Sequence, residues 1–364
     1  MRMTKSDNDR LNRIQGLLVE KQCSHILITD SVDGEYVSGF HSSNFFLLIS
    51  RVENILFTDF RYKEAAAAFC ARNPQWRFVQ TSENGLSSLS SYCPAGSRVG
   101  IQSNDLSVDR FDAMRRCLKK VRFVKIVESL EAVFMPKLPA ELSLAARAAR
   151  IGDAAFMRAI KRLKTGITER EAAALLEDYC RRLGSEKPSF DTIVLFGARA
   201  ALPHGVPSKR RLKKGDWVLM DFGCTVGGFT SDMTRTIVMG KATARQRSVY
   251  EVVAQAQQKA RNAVREGVTA SCVDARARSH IEQAGYGDYF GLATGHGLGR
   301  RVHEKPRIAR ENNAVLPAAA IITIEPGIYI PGFGGVRIED MVIVRKNGPK
   351  VITAAPRHLM EIEV

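Results

Sequence analysis

The 364-residue sequence contains no long apolar run. No stretch approaches the roughly 18 consecutive apolar residues that a membrane-spanning helix requires. The N-terminal segment, MRMTKSDNDRLNRIQ, is polar and has no apolar stretch of the kind found in secretory signal peptides. These absences predict a cytoplasmic protein that does not associate with membranes.

Cysteine spacings typical of metal or redox sites are also missing. The seven cysteines are odd in number and widely spaced, and no C-x-x-C occurs among them. This pattern argues against a disulfide framework and against a thiolate metal site, and it fits a reducing compartment. Cys224 could be a reactive thiol because it lies near Asp221, but a small buried residue is the favoured interpretation.

Known nucleic-acid-binding motifs are absent, although the formal net charge is +16. The basic residues are dispersed apart from one cluster, SKRRLKKG at 208–215. No zinc finger, helix-turn-helix or RNA-stacking motif accompanies them. We therefore expect no nucleic-acid partner, and interpret the charge as a generally basic surface or an electropositive rim near an active site.

The length and the pattern of elements predict two domains. Residues 1–132 alternate between strand-like and helical segments, which indicates a mixed sheet with helices packed against it. Two prolines within 128–139 interrupt the pattern, so we place the boundary after residue 132, with a second domain at 133–364. The predicted helices of the first domain are 8–22, 61–72, 86–92 and 108–118, and its predicted strands are 25–29, 45–50, 55–59, 77–80, 98–102 and 122–127.

The second domain contains an internal repeat. After a long predicted helix at 140–164, Gly166-Ile167-Thr168 opens another that ends near Gly184, and Gly267-Val268-Thr269 opens one that ends near Gly285. Both the starts and the ends are offset by 101 residues. Each half then continues into strand-like sequence with two acidic residues, which predicts two helix–helix–sheet units that share one central site. The two pairs of acidic residues are Asp221 with Asp232, and Glu325 with Glu339.

Several acidic residues lie at the ends of apolar strands. Asp221 follows WVLM and Glu325 follows IITI, both of which should be buried. Buried carboxylates need a cation or a hydrogen-bond network. For any one acid, an ion pair with Arg235 or Arg337 is an equal alternative, but four acids and the glycine-flanked His296 together favour metal.

Four carboxylates and one imidazole form a hard ligand set that suits two divalent cations. Manganese is favoured, although cobalt or zinc could substitute. Four negative charges match two such ions bridged by a hydroxide, and a bridging hydroxide is a nucleophile at neutral pH. The predicted ligands are Asp221, Asp232, His296, Glu325 and Glu339, and the predicted chemistry is hydrolysis.

Two further histidines lie in polar, turn-like segments. His204 occurs in LPHG just before the basic cluster, and His303 occurs in VHEKP seven residues after His296. An imidazole near a tetrahedral intermediate can donate a hydrogen bond or transfer a proton. The alternative for each is a loop histidine with no catalytic role.

At these residues the sequence resembles the pita-bread metallopeptidases, and within them aminopeptidase P and prolidase. The resemblance implies an α+β protein that has a pita-bread catalytic domain with an internal pseudo-twofold repeat, preceded by a smaller α/β domain. It covers nearly the whole chain, with weaker matches at YVSGF (36–40) and FTDFRY (57–62). The segments that carry it are LPHGVP (202–207), GDWVLMDFG (215–223), FTSDMTRT (229–236), GHGLGRRVHEKP (295–306), IEPGIY (324–329) and GVRIED (335–340).

The resemblance also implies roles for individual residues. Asp221 resembles a ligand of one metal and Asp232 a ligand of both, and Glu325 resembles a ligand that also takes the proton of the attacking water. His204 resembles the histidine that assists the substrate nitrogen or leaving group, and His303 the one that holds the carbonyl side. Tyr329 and Arg337 resemble substrate-orienting residues; alternatively Tyr329 belongs to the core and Arg337 neutralises Glu339.

The function implied is hydrolysis of peptides with proline at the second position. Because an X-Pro bond is a tertiary amide with no N–H, its cleavage requires a dedicated pocket. We expect an Xaa-Pro aminopeptidase, with Xaa-Pro dipeptidase as the alternative; the basic 209–214 loop could then help to bind a free carboxylate. A non-catalytic binding protein on the same fold is disfavoured because a ligand residue is present at every metal-binding position of the family. The resemblance also implies a homodimer.

Overall fold

The computed structural model describes residues 5–82 and 85–363. The chain divides into two compact units, Met1–Phe134 and Met135–Val364. In this described part of the chain, no helix combines the length and the apolar character needed to cross a membrane.

The first unit contains one six-stranded sheet with helices packed on it. The strands are β1 His25–Ile28, β2 Phe45–Ser50, β3 Asn54–Thr58, β4 Trp76–Gln80, β5 Arg98–Ile101 and β6 Arg122–Lys125. Their order is β4-β3-β2-β1-β5-β6; β2 pairs antiparallel with both β1 and β3, and the other three pairings are parallel. This confirms the predicted mixed sheet. The helices are α1 Lys5–Glu20, α2 Ser31–Ser38, α3 Lys63–Arg72, α4 Val108–Cys117 and α5 Val127–Phe134, with 3-10 turns at Phe60–Tyr62 and Leu86–Ser91.

Two helices of the first unit were not predicted. Helix α5 forms where the sequence pattern indicated a break, and the domain boundary after residue 132, which stays a prediction, lies near its end. It forms because Leu130 is buried, and it ends before Pro136, since the residue preceding a proline disfavours helical geometry. Helix α2 was not predicted because Gly34 weakens its pattern; a side chain at Gly34 would meet the Phe45 ring at 2.8 Å.

The second unit consists of two helix pairs and the strands that they cover. Its helices are α6 Pro139–Ile160, α7 Glu169–Arg182, α8 Ala244–Ala263 and α9 Ala270–Gln283. The first-half strands are β7 Ile193–Phe196, β8 Trp217–Phe222, β9 Thr225–Val226, β10 Phe229–Thr230 and β11 Met233–Met239. The second-half strands are β12 Gly295–Gly297, β13 Glu304–Ile308, β14 Ile321–Ile324, β15 Gly327–Ile330, β16 Gly334–Arg337, β17 Asp340–Ile343, β18 Lys350–Val351 and β19 Glu361–Ile362. The 3-10 turns are Gly197–Ala201 and Gly287–Tyr289.

The strands of the second unit form two larger sheets and two short hairpins. One sheet has the order β19-β11-β8-β7 and the other β13-β12-β14-β17-β18, while β9 pairs with β10 and β15 with β16. One core cluster packs α6 and α7 against β7, β8 and β11. The other packs α8 and α9 mainly against β14 to β17. Each helix pair therefore has its own core cluster, and Trp217, Leu219 and Val238 of the first-half strands also pack into the cluster of α8 and α9.

The internal repeat extends to individual hydrogen bonds. Gly166 N–H donates to Leu212 O at 2.8 Å, and its counterpart Gly267 donates to Leu316 O at 3.0 Å. Leu212 N–H returns to Ile167 O at 2.8 Å, and Leu316 returns to Val268 O at 2.9 Å. The side chains of Thr168 and Thr269 cap α7 and α9. The two halves therefore share the same hydrogen bonds between the turn that precedes a helix, α7 or α9, and the segment that leads to the strand with the first acidic residue of that half.

Candidate metal centre

The five predicted ligands lie on strands or directly at their ends. Asp221 is in β8, opposite Thr234 of β11. His296 is the central residue of β12 and lies opposite Arg307 of the neighbouring strand β13. Because strand backbones are fixed by their ladders, these positions give the side chains defined directions. The other three ligands adjoin strands: Asp232 precedes β11, Glu325 follows β14, and Glu339 lies between β16 and β17.

The structure brings the predicted ligands together. One potential ligand atom from each of Asp232, His296 and Glu339 lies within 4.8 Å of the others. His296 Nε2 lies 3.6 Å from Asp232 Oδ2 and 3.2 Å from Glu325 Oε1. The two halves meet here, since Glu339 N–H donates to Thr234 O at 3.1 Å. A group of this composition can hold a divalent cation.

Burial and mutual repulsion make the cluster electrostatically unfavourable by itself. Burial, reinforced by the negative charges of Glu339, Asp221 and Glu325, holds the pKa of Asp232 well above its usual value. Burial and the charges of Glu325 and Asp221 likewise raise the pKa of Glu339. Burial also raises the pKa of Asp221, although Arg337 opposes this effect. Like charges in a buried site require compensating positive charge.

Two carboxylate oxygens of the cluster have no hydrogen-bond partner among the described residues. They are Asp221 Oδ1 and Glu339 Oε1, and both are buried. In each side chain the other oxygen is held by the protein: Arg337 donates to Asp221 Oδ2, and Thr234 Oγ1 donates to Glu339 Oε2 at 2.7 Å. Buried polar atoms are nearly always satisfied, so each unpaired oxygen requires an explanation. A cation supplies one, and the donor set therefore fits divalent metal.

His296 is oriented by its backbone neighbours. Its ring Nδ1 lies 3.0 Å from Gly297 O, and its backbone N–H donates to Thr323 Oγ1 at 3.0 Å. In the neutral ring the Nδ1 proton therefore points to the carbonyl and the Nε2 lone pair faces the carboxylates. Without a metal, desolvation lowers the pKa of His296, but the Glu325 carboxylate outweighs this and raises it to about 9.

Thr323 also fixes Glu325. Its hydroxyl donates to Glu325 Oε1 at 2.9 Å, and Glu325 N–H donates to Thr294 O at 2.7 Å. Burial alone would raise the pKa of Glu325, but the hydrogen bond from His296 leaves it lowered. No motif indicated that Thr323 and Thr234 support the site; only the strand register, which places Thr234 beside Asp221, could have suggested one of them.

Arg337 connects three parts of the site. Besides Asp221, its guanidinium donates to Thr234 Oγ1 at 2.9 Å, to Tyr329 OH at 2.7 Å and to Pro203 O at 3.3 Å. Arg337 thus forms its ion pair with Asp221, whereas the alternative interpretation of the sequence paired it with Glu339. Arg337 and Tyr329 are both buried.

Arg235, the other arginine considered as a partner of the acids, is engaged elsewhere. Its Nη2 donates to Asp340 Oδ1 at 2.8 Å, and both side chains are almost fully buried. Its Nη1 donates to backbone carbonyls, including that of Glu339. Arg235 therefore neutralises Asp340, the neighbour of Glu339, and none of the five predicted ligands.

His204 and His303 are exposed, whereas Asp221, Asp232 and Glu339 are buried. The ring of His303 lies edge-on to His296, with centroids 4.5 Å apart. Loss of solvation, together with the charges of His296 and His204, lowers the pKa of His303. His204 follows Pro203, whose carbonyl accepts the Arg337 hydrogen bond. Both histidines therefore adjoin the cluster on loops rather than strands.

Comparison with known proteins gives matches to both units. Residues 143–346 match metallopeptidase family M24, and residues 10–133 match the creatinase/prolidase N-terminal domain. The Xaa-Pro dipeptidase of Pyrococcus horikoshii is 34% identical over 97% of this chain and 99% of its own. The structure of an Xaa-Pro dipeptidase from Bacillus anthracis aligns with a TM-score of 0.92 at 33% identity, covering 98% of this chain and 99% of that one.

An X-Pro aminopeptidase from Thermotoga maritima is also similar. Its structure aligns with a TM-score of 0.88 at 30% identity, covering 97% of this chain and 99% of that one. These similarities confirm the predicted fold class, the predicted family resemblance and the prediction of a metallopeptidase.

Removing one charge from the cluster should separate metal binding from folding. Mn²⁺ should raise the melting temperature of the wild type, because a ligand at 100 times its Kd stabilises the folded state by about 2.7 kcal/mol. We expect Asp232→Asn to abolish this rise. Without metal, the variant should be at least as stable as the wild type, because a buried repulsion is removed. Thermal unfolding with and without Mn²⁺ measures both effects. Asp178→Asn, on the exposed side of α7, is the control; a full Mn²⁺ shift in Asp232→Asn would contradict the ligand assignment.

Gly295 should be intolerant of any side chain. A Cβ there would lie 2.0 Å from Thr323 O, in the backbone contact between β12 and β14. We expect Gly295→Ala to lower the free energy of unfolding by about 3 kcal/mol or more and to displace His296. Urea unfolding measures the change. Gly291→Ala is the matched control, since no described atom lies within 4 Å of its added Cβ; equal stability of the two variants would be inconsistent with this packing.

Proposed function

Because this chain belongs to metallopeptidase family M24, we propose that it is an Xaa-Pro dipeptidase. It is a metallopeptidase that acts on peptides, and the finer assignment is supported by two of the three relatives described above, which carry that name. The relatives thus favour the alternative over the Xaa-Pro aminopeptidase expected from the sequence. The Thermotoga maritima relative keeps the aminopeptidase as the competing candidate.

Family membership implies divalent metal ions, and we propose that two are held by the five predicted ligands, Asp221, Asp232, His296, Glu325 and Glu339. The unpaired oxygens of Asp221 and Glu339 are the main support for this assignment. The oxygen-rich donor set favours manganese, with cobalt or zinc as possible substitutes. When bound, such ions supply polarisation of the scissile carbonyl and a lowered pKa of water.

The chain's own residues then move the protons. Glu325 has a lowered pKa, so it is ionised at neutral pH and can accept the proton of the attacking water. His303 has a lowered pKa and is therefore neutral, so its ring can donate a hydrogen bond on the carbonyl side of the substrate. His204 is proposed to assist the proline nitrogen as it leaves. Both histidines are exposed, as substrate contact requires.

Tyr329 and Arg337 are proposed to act on the substrate only indirectly. Both are buried, and Arg337 joins Asp221 to the carbonyl of Pro203, next to His204. The Arg337 guanidinium therefore sets the distance between a ligand strand and a histidine loop. Tyr329 OH accepts one of its N–H groups and limits its rotation.

A dipeptidase must also recognise a free carboxylate one residue beyond the scissile bond. Arg307 is exposed and lies directly opposite His296 across β12 and β13. Residues opposite each other on paired strands present their side chains on the same face. The arginines of the basic 209–214 loop are engaged elsewhere, since Arg210 pairs with Asp216 at 2.7 Å and Arg211 donates to Gly166 O. Arg307 is therefore a stronger candidate for the carboxylate than Arg210 or Arg211.

Replacing Arg307 should affect dipeptides selectively. A hydrogen bond to a charged group contributes about 1.5–3 kcal/mol, so we expect Arg307→Ala to lower kcat/KM for an Xaa-Pro dipeptide roughly 10- to 100-fold. The C-terminally amidated dipeptide should be little affected. Steady-state kinetics on both substrates measures the difference. Arg310→Ala, which removes an exposed arginine paired with Glu282, should change neither.

Substrate length decides between the two candidate functions. We expect the manganese-loaded protein to hydrolyse an Xaa-Pro dipeptide and to leave an Xaa-Pro-Xaa tripeptide intact. His204→Ala should slow the dipeptide reaction while the bound metal content stays unchanged. Efficient tripeptide cleavage would instead establish the aminopeptidase, and absence of turnover on both peptides would refute both.

The predicted homodimer stays a prediction. Light scattering on the full chain measures the mass in solution, for which we expect twice the 40.3 kDa of one chain.

A further inference from the structure

A buried ion pair supports the loop that carries His303. Lys137 Nζ donates to Glu304 Oε2 at 2.7 Å, across a separation of 167 residues. The Lys137 side chain is 3% exposed and that of Glu304 is 17% exposed. A lysine is rarely buried to this extent unless it is paired, because desolvating its charge is costly.

Glu304 connects this ion pair to the histidine loop. It directly follows His303, and its second oxygen, Oε1, accepts the backbone N–H of Arg301 at 3.1 Å. The carboxylate also packs under Gly299, where an added Cβ would lie 2.6 Å from either carboxylate oxygen. One side chain thus bridges the segment that contains His303.

The other side of the loop is anchored to the first half of the unit. Thr230 N–H and Oγ1 both donate to Gly299 O, at 2.8 and 2.9 Å. Thr230 precedes the ligand Asp232 by two residues. The beginning of the loop is therefore fixed to β10, whereas its end, with His303, is held by the start of β13 and by the ion pair of Glu304 with Lys137.

Lys137 is itself held rigidly. Its backbone N–H donates to Ala319 O at 3.0 Å. The backbone N–H of the next residue, Leu138, donates at 2.8 Å to the carboxylate of Glu141, in the first turn of α6. The ammonium is thus presented from the fixed start of a 22-residue helix. Such a support can hold a loop residue in one position more precisely than the loop alone.

We infer that Lys137 is a positioning residue for the reaction: through Glu304 it holds His303 in the place where it meets the substrate. This inference rests on the proposed function, in which His303 contacts the scissile carbonyl. A lysine that only stabilised the fold would alter unfolding but would not act through His303.

A double-mutant cycle tests the inference in the full-length, manganese-loaded protein. We expect Lys137→Met to lower kcat/KM for an Xaa-Pro dipeptide about 10- to 100-fold, the range that small misplacements of catalytic groups produce. Lys137→Arg should restore most of the activity. In a His303→Ala background, Lys137→Met should cause no further loss, because the residue through which it acts is gone. Equal, additive losses in both backgrounds would overturn the inference.

Glu304→Gln provides a second variant in case Lys137→Met does not fold. It removes the charge but keeps the carbonyl oxygen that can accept the Arg301 N–H, and we expect the same dependence on His303. Arg182→Met is the matched control, since it removes an exposed 2.8 Å ion pair on α7 and should leave kcat/KM unchanged. A Glu304→Gln variant that folds with wild-type kinetics would overturn the inference.

A readout independent of activity separates this inference from the proposed function. Carbon-13 labelling of the histidines at Cε1 gives seven signals at most, and His303→Ala identifies the one from His303. We expect Lys137→Met to shift or broaden that signal in the metal-free protein, and Lys137→Arg to leave it near its wild-type position. An unchanged His303 signal in folded Lys137→Met would refute the positioning role, whereas failure of the wild type to hydrolyse any Xaa-Pro peptide would refute the proposed function alone.

Discussion

The concentration of negative charge at one buried point is the constraint on which the second unit depends. Carboxylates that raise one another's pKa would destabilise the fold if nothing balanced them. Arg337 supplies a buried balancing charge beside Asp221, and Thr234 satisfies the second oxygen of Glu339. The oxygens left unpaired are those that divalent cations would occupy.

The repeat explains how so many acids reach one point without distorting the backbone. Each half supplies a carboxylate pair from one strand ladder, β8 with β11 in the first half and β14 with β17 in the second. His296 belongs to the second half alone and breaks the symmetry. The ligands are therefore held on strands, whereas the histidines proposed to contact the substrate are on loops that need supports of their own, such as Lys137 and Glu304.

The fold and the clustering of the candidate ligands could be predicted because their signals are local in the sequence. An acid at the end of an apolar strand is visible in WVLMD and IITIE, and the repeat is visible in matching glycines. Contacts between distant segments leave no such signal: the partner of Lys137 lies 167 residues away, and Asp221, the partner of Arg337, lies 116 residues away. Substrate length leaves no signal in the sequence either, because the quoted motifs contain the candidate ligands and histidines and not the residues that would bind the end of the peptide.

The most direct test of the account is a stoichiometric titration of metal-free protein with Mn²⁺ while hydrolysis of an Xaa-Pro dipeptide is followed. The account predicts that activity is negligible at the start, rises with added metal and saturates at two ions per chain. Full activity in the thoroughly metal-free protein, or no dipeptide hydrolysis when both ions are bound, would contradict it.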